Sequence, residues 1–111
     1  MNPGDLWYVD VPYHDDPARS KKRVLLVVKE LSETEVIVVE SRGKPHPHLS
    51  LVGIIDFSRR GYLAMPCRGI SHFYAENIRN VNTKIFDGKK AFGSLTPQDF
   101  KRFFDEINQV I

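Results

Sequence analysis

Between Gly4 and Val28 the sequence GDLWYVDVPYHDDPARSKKRVLLVV holds two strand-forming segments of different kinds, and the difference limits the folds open to the chain. Trp7, Val9 and Val11 alternate with Leu6, Tyr8 and Asp10, the period-2 pattern of a half-buried strand. Val24 to Val28 is instead continuously apolar and rich in β-branched residues, as expected of a strand covered on both faces. The loop between them carries His14, Asp15, Asp16, Arg19, Lys21, Lys22 and Arg23. A loop of both signs held between two rigid strands is where binding and catalytic groups tend to sit. The same pattern also suits a solvated hairpin whose charges only keep an edge soluble.

A length of 111 residues bounds the chain to one compact domain with a single core. No apolar run approaches the roughly 20 residues needed to span a bilayer, so no membrane association is expected. The N-terminal MNPGD has neither a basic nor an apolar leader segment, and Cys67 is the only cysteine, so the cytoplasm is the expected compartment. A formal net charge of +2 is too small to mark a nucleic-acid binder by itself. Local clusters carry more information: four cations in the five positions Arg19 to Arg23, then Arg42 with Lys44, Arg59 with Arg60, and Lys89 with Lys90. Brought onto one face they would form a phosphate-tracking groove, and scattered they are solubility charges.

Val36 to Val39 is a second β-branched run, so residues 24–39 read as a hairpin closed by the polar segment Lys29 to Glu35. Residues 42–49, RGKPHPHL, read as an irregular loop. Its His46 and His48 face one way if the segment is extended, which invites a metal site, but further ligands are lacking and solvent-facing loop histidines are the plainer reading. Leu49 to Phe57 reads as a strand followed by one helical turn, with Asp56 as its cap, running through Arg60 to Gly61. Pro66 and Gly69 mark a turn before a strand-like Ile70 to Tyr74. At the C-terminus, Thr96 can cap, Pro97 suits the first helical position and Asp99 complements the helix dipole. Phe100, Phe103, Phe104, Ile107, Val110 and Ile111 recur at helical spacing, which predicts a helix over 97–110 that covers the sheet. Several short strands, a short internal helix and this C-terminal helix together predict a mainly β fold: a curved antiparallel sheet in the manner of an SH3-like small barrel. No Walker loop, dinucleotide fingerprint, nucleophile elbow or zinc-finger spacing is present.

The opening Gly4-Asp5-Leu6-Trp7, the loop, and Arg23 leading into an apolar LLVV strand resemble the MazF/PemK toxin family, whose members open with a Gly-Asp/Glu-aliphatic-Trp strand. They then carry a loop ending in Arg-Pro; here Val24 follows the arginine. The family closes its next strand with Thr-Ser; here the pair is Glu40-Ser41, and a carboxylate at that place either repels an RNA phosphate or serves as a proton acceptor. Ser71, Glu76, Ile78 and Arg79 are similar to a later Ser-aromatic-Val-Arg-x-Asp-x-Ile/Val-Arg-Thr segment, with Tyr74 in place of a basic residue and Glu76 in place of an aspartate. Asp56-Phe57 with Gly61-Tyr62-Leu63, and FGSL before the final helix, extend the similarity over most of the chain.

The resemblance implies an SH3-like barrel, a homodimer, cleavage of single-stranded RNA without metal or cofactor, and a small antitoxin whose disordered segment folds into the groove. Such cleavage needs a group to take the 2′-hydroxyl proton, cations to stabilise charge on the phosphate and an acid for the leaving 5′-oxygen. On this model Arg23 stabilises the phosphate, Glu76 or His14 is the base, and the other of these or Arg79 is the acid or a positioning group. Arg19, Lys21, Lys22, Ser41, Ser71 and Arg79 become candidate RNA contacts, with Tyr13 and Tyr74 as stacking planes. Trp7 and Phe73 sit in strand patterns where core burial is the expected use of an aromatic ring. Two other functions stay open: a barrel of this fold without catalysis that binds RNA or protein, and an interaction protein that docks through its Phe-rich helix.

Overall fold

The structure, a computed structural model, describes every residue except His14, residues 59–61 and 63–68, and Ile111. The strands are β1 (Asp5–Pro12), β2 (Ser20–Glu30), β3 (Glu35–Arg42), β4 (Leu51–Asp56), β5 (Ile70–Asn82) and β6 (Gly93–Ser94), followed by helix α1 (Pro97–Val110). All pairings are antiparallel, and the strands lie in the order β4-β5-β3-β2-β1-β6 as one curled half-barrel sheet. The predicted hairpin is present, with β2 and β3 turning through residues 31–34.

The continuous apolar run of β2 is explained by cover on both of its faces. Val24, Leu26 and Val28 join Leu6, Val39, Ile55, Phe57, Phe73, Phe103 and Ile107 in a core beneath α1. Leu25 and Val27 join Val9, Val11, Val36, Val38, Val81 and Phe86 on the opposite face, where Trp7 and Ile85 complete the cluster. A 3-10 turn, Thr83–Phe86, supplies Ile85 and Phe86 to that second cover, and the rings of Trp7 and Phe86 meet at 4.6 Å between centroids. At about 25 cal/mol per Å² of apolar surface removed from water, these two clusters are the main favourable contribution to the fold.

Helix α1 has the predicted bounds, and its first turn does more than expected. Thr96 Oγ1 accepts the amide of Asp99, as a cap should. Asp99 lies in the first turn, where it complements the helix dipole as expected, and it is also buried. Its carboxylate accepts the Tyr62 hydroxyl at 2.6 Å and a guanidinium nitrogen of Arg102 at 2.8 Å. Burial, reinforced by that bond to Asp99, pushes the Tyr62 phenol above its ordinary range. Arg102 reaches on to the carbonyl of Ile54 on edge strand β4, so one network ties the helix to the sheet margin. On the apolar face of α1, Phe103 and Ile107 are fully buried in the core, whereas Phe100 is exposed and with Phe104, Pro3 and Val28 lines an open depression beside the helix.

Two further departures concern the middle of the chain. Asp56 ends β4 and accepts the amide of Ser58 in a turn, while the rest of the predicted helical turn, together with Cys67 and the Arg59–Arg60 pair, lies outside the described residues. The strand predicted at Ile70 to Tyr74 continues to Asn82, past a bulge that shifts its pairing with β3 between Val39↔Ile78 and Ser41↔Phe73. The extra residues of that bulge displace the apolar alternation by which a strand is recognised. Within it, Glu76 accepts the Ser50 amide at 2.8 Å and the Ser50 hydroxyl at 3.2 Å, pinning the chain just ahead of β4. These bonds, led by the backbone one, hold its carboxyl below the usual range.

Two outcomes follow from this packing. A Cβ placed on Gly53 would lie 2.6 Å from Cζ of Phe103, which is fully buried and has no free space to retreat into. Gly53→Ala is therefore expected to destabilise the domain by about 1–3 kcal/mol in chemical denaturation, and an unchanged midpoint would contradict this packing. Glu76 is ionised more readily folded than unfolded, so its contribution is complete above the reference value of 4.5 and fades as the pH falls through the lower folded value. The melting-temperature gap between the wild type and Glu76→Gln should accordingly be present at neutral pH and close in acid, and a gap that does not change with pH would contradict it.

Candidate nucleic-acid interface

The face of the sheet away from α1 changes character along its length. At one end it is the apolar cluster of Val9, Leu25, Val27, Val36, Val38 and Val81. Continuing each strand by two residues keeps the face and changes the chemistry. Leu25 is followed back along β2 by Arg23 and Lys21, Val38 along β3 by Glu40 and Arg42, and Val81 back along β5 by Arg79 and Asn77. The pairings Val9↔Arg23, Val11↔Lys21, Leu25↔Glu40 and Val38↔Arg79 bring these side chains onto one surface.

Two cavities open there, of about 180 and 420 Å³. Lys21, Arg23 and Arg42 line both, so they form one continuous trough. Tyr13, Asp15, Glu40 and Arg79 close one end, and Lys44 and His46 line the other. The cations are Lys21, Arg23, Arg42, Lys44 and Arg79, against the carboxylates Glu40 and Asp15. Glu40 Oε1 and Arg79 form an ion pair at 3.1 Å, with side chains only 16% and 20% exposed, so water screens it less than a surface pair. The Nε of Arg79 is buried and has no hydrogen-bond partner among the described residues. Arg42 donates from Nε to Asn77 Oδ1 at 2.8 Å, which fixes its guanidinium above the bulge of β5.

Beyond His46 the surface turns apolar: Pro45, Pro47, Leu49, Leu51, Ile54, His72 and Tyr74 line a third depression. The rings of His72 and Tyr74 lie nearly parallel with centroids 6.3 Å apart, and the Tyr74 hydroxyl accepts the His46 amide at 2.7 Å. Tyr74 thereby holds the 42–49 loop against the sheet, and at 3% exposure it has little ring surface left for the stacking expected of it. Among the described residues no three His, Cys, Asp or Glu side chains group closely enough to hold a metal ion, so His46 and His48 gain no further ligand.

Of the candidates from sequence, Arg23, Lys21, Arg79 and Tyr13 meet in the trough. Arg19 does not line it but sits over the Tyr13 ring at 5.6 Å. Lys22 and Ser71 belong to the opposite face, opposite Asp10 and Ile55 respectively, and Lys22 lies over the Tyr8 ring. Ser41 is buried, and its hydroxyl accepts the amide of Val24, so it shapes the strand that presents Arg23 and has no surface to offer a ligand. Glu76 lines neither cavity of the trough and is engaged by Ser50. His14 lies outside the described residues. Arg42 and Lys44, one of the basic clusters noted in the sequence, and Glu40, the carboxylate standing where the resembling family has a threonine, also line the trough, and the hairpin register carried on from the valines of β3 places Glu40 and Arg42 there.

The sequence matches no family model and no curated protein. Among solved structures the chain is similar to an endoribonuclease in complex with its cognate antitoxin, from a mycobacterial species. The TM-score is 0.64 at 13% identity, over 99% of this chain and 93% of that one. At that identity the likeness is one of fold, shared over nearly the whole length of both chains.

Proposed function

We propose that the protein is a metal-independent endoribonuclease of the MazF/PemK kind, the toxin of a toxin-antitoxin pair, acting on single-stranded RNA as a cytoplasmic homodimer. The observation that carries this reading is the trough: cations from β2, β3 and β5 and the loop after β3 surround a groove that has aromatic and apolar surface at its end. Single-stranded RNA alternates the two chemistries such a surface recognises, phosphates for the cations and bases for aromatic planes. The similarity in fold to an endoribonuclease bound to its antitoxin supports the same reading.

On this reading Arg23 and Arg42 hold the scissile phosphate and stabilise the charge that grows on it as the 2′-oxygen attacks. Lys21 and Lys44 track neighbouring phosphates, and Tyr13 offers a stacking plane at one end. An antitoxin would compete by placing carboxylates where the phosphates lie, an acidic segment that orders on binding. The buried Ser41 and the engaged Glu76 favour one alternative, a barrel that binds RNA without cutting it.

Incubating the purified protein with mixed-sequence single-stranded RNA in EDTA separates the two. The expected products carry 2′,3′-cyclic phosphate and 5′-hydroxyl ends, and Arg23→Ala should slow their formation by about a hundredfold or more. Intact RNA that is nevertheless bound would establish the binding module instead.

A further inference from the structure

The geometry points to Glu40 as the general base of this site. The inference rests on the ribonuclease reading above and assigns its missing proton acceptor. A base must lie beside the group that holds the phosphate, in a fixed position, and with a free oxygen. Two carboxylates line the trough, Glu40 and Asp15. Asp15 is exposed on the loop between β1 and β2. Glu40 is carried by a strand, its side chain is 16% exposed, it lines the same cavity as Arg23 and Arg42, and its cross-strand partner Leu25 lies two residues from Arg23. Arg79 donates to Oε1 at 3.1 Å, which orients the carboxylate and leaves Oε2 for a second donor.

The step balances with the groups present. The ribose 2′-hydroxyl gives its proton to Oε2 of Glu40, and its oxygen bonds to the adjacent phosphorus. The bond from phosphorus to the 5′-oxygen breaks, leaving a 2′,3′-cyclic phosphate, and the 5′-oxygen takes a proton from solvent. Arg23 and Arg42 stabilise the phosphate oxygens meanwhile. The carboxylate thus lies where an anion would otherwise only repel the substrate. Arg79 acts through Glu40 and is a positioning residue.

The test compares the wild type, Glu40→Gln, Glu40→Asp and Glu40→Ala in single-turnover cleavage. Binding is read separately with an uncleavable 2′-deoxy oligonucleotide, and folding by thermal denaturation. Glu40→Gln is expected to cleave about 10²–10⁴-fold more slowly while binding the oligonucleotide as tightly as the wild type or tighter, since a negative charge has left the groove. Glu40→Asp should recover part of the rate, and added formate should restore cleavage to Glu40→Ala by replacing the lost acceptor. Cleavage by Glu40→Gln within about threefold of the wild type overturns the assignment. So does a folded Glu40→Ala whose lost rate formate does not touch, or a loss of oligonucleotide binding in step with cleavage, either of which makes Glu40 structural. A wild type that cuts no RNA defeats the ribonuclease reading itself, and this assignment with it.

Discussion

Three neighbouring strands stop being apolar on one face within a single step of their alternation, and the rest of the site depends on that break. On β2, β3 and β5 the same parity that buries Leu25, Val38 and Val81 next presents Arg23, Glu40 and Arg79. Strand geometry allows no other outcome, since residues two apart must share a face. Cations gathered on adjacent strands repel one another, and the sheet holds them together because it is anchored elsewhere by two apolar clusters. A site of this kind is stabilised by whatever anion fills it.

The anchoring is uneven in a useful way. The face under α1 is buried from Val24 to Val28 on β2, whereas the other is covered only as far as Trp7, Ile85 and Phe86 reach. The short 3-10 turn therefore sets where the packed face ends and the open trough begins. Ser41, Asn77 and the Glu40–Arg79 pair do the local fitting: a buried hydroxyl completes the β2 ladder behind Arg23, an amide fixes Arg42, and an ion pair spans β3 and β5.

Much of the fold was legible because its signals are periodic. The doubly covered β2, the hairpin to β3 and the 97–110 helix each follow from spacing alone. The length of β5 did not, because a bulge spends residues without advancing the alternation, and its outward face is polar. The role of Asp99 was hidden for a different reason: its partner Tyr62 is 37 residues away, and no local rule pairs them. In the site, Arg23 stood out through its position at the head of the apolar run. Lys22 and Ser71 lie on the other face from the trough, and a charge or hydroxyl near a motif does not reveal its face until the register is known. Glu76 lies in the bulge and is engaged by Ser50, away from the trough.

The salt dependence of binding to a single-stranded, uncleavable RNA analogue tests most directly whether the trough is an RNA site. If phosphates occupy it, affinity should fall steeply with salt, and Arg42→Ala should flatten the slope by roughly 0.7 in log–log terms, the value expected when one fewer phosphate of a single strand is neutralised. An affinity indifferent to salt, or a slope that Arg42→Ala leaves unchanged, would place the ligand elsewhere and contradict the trough as its site.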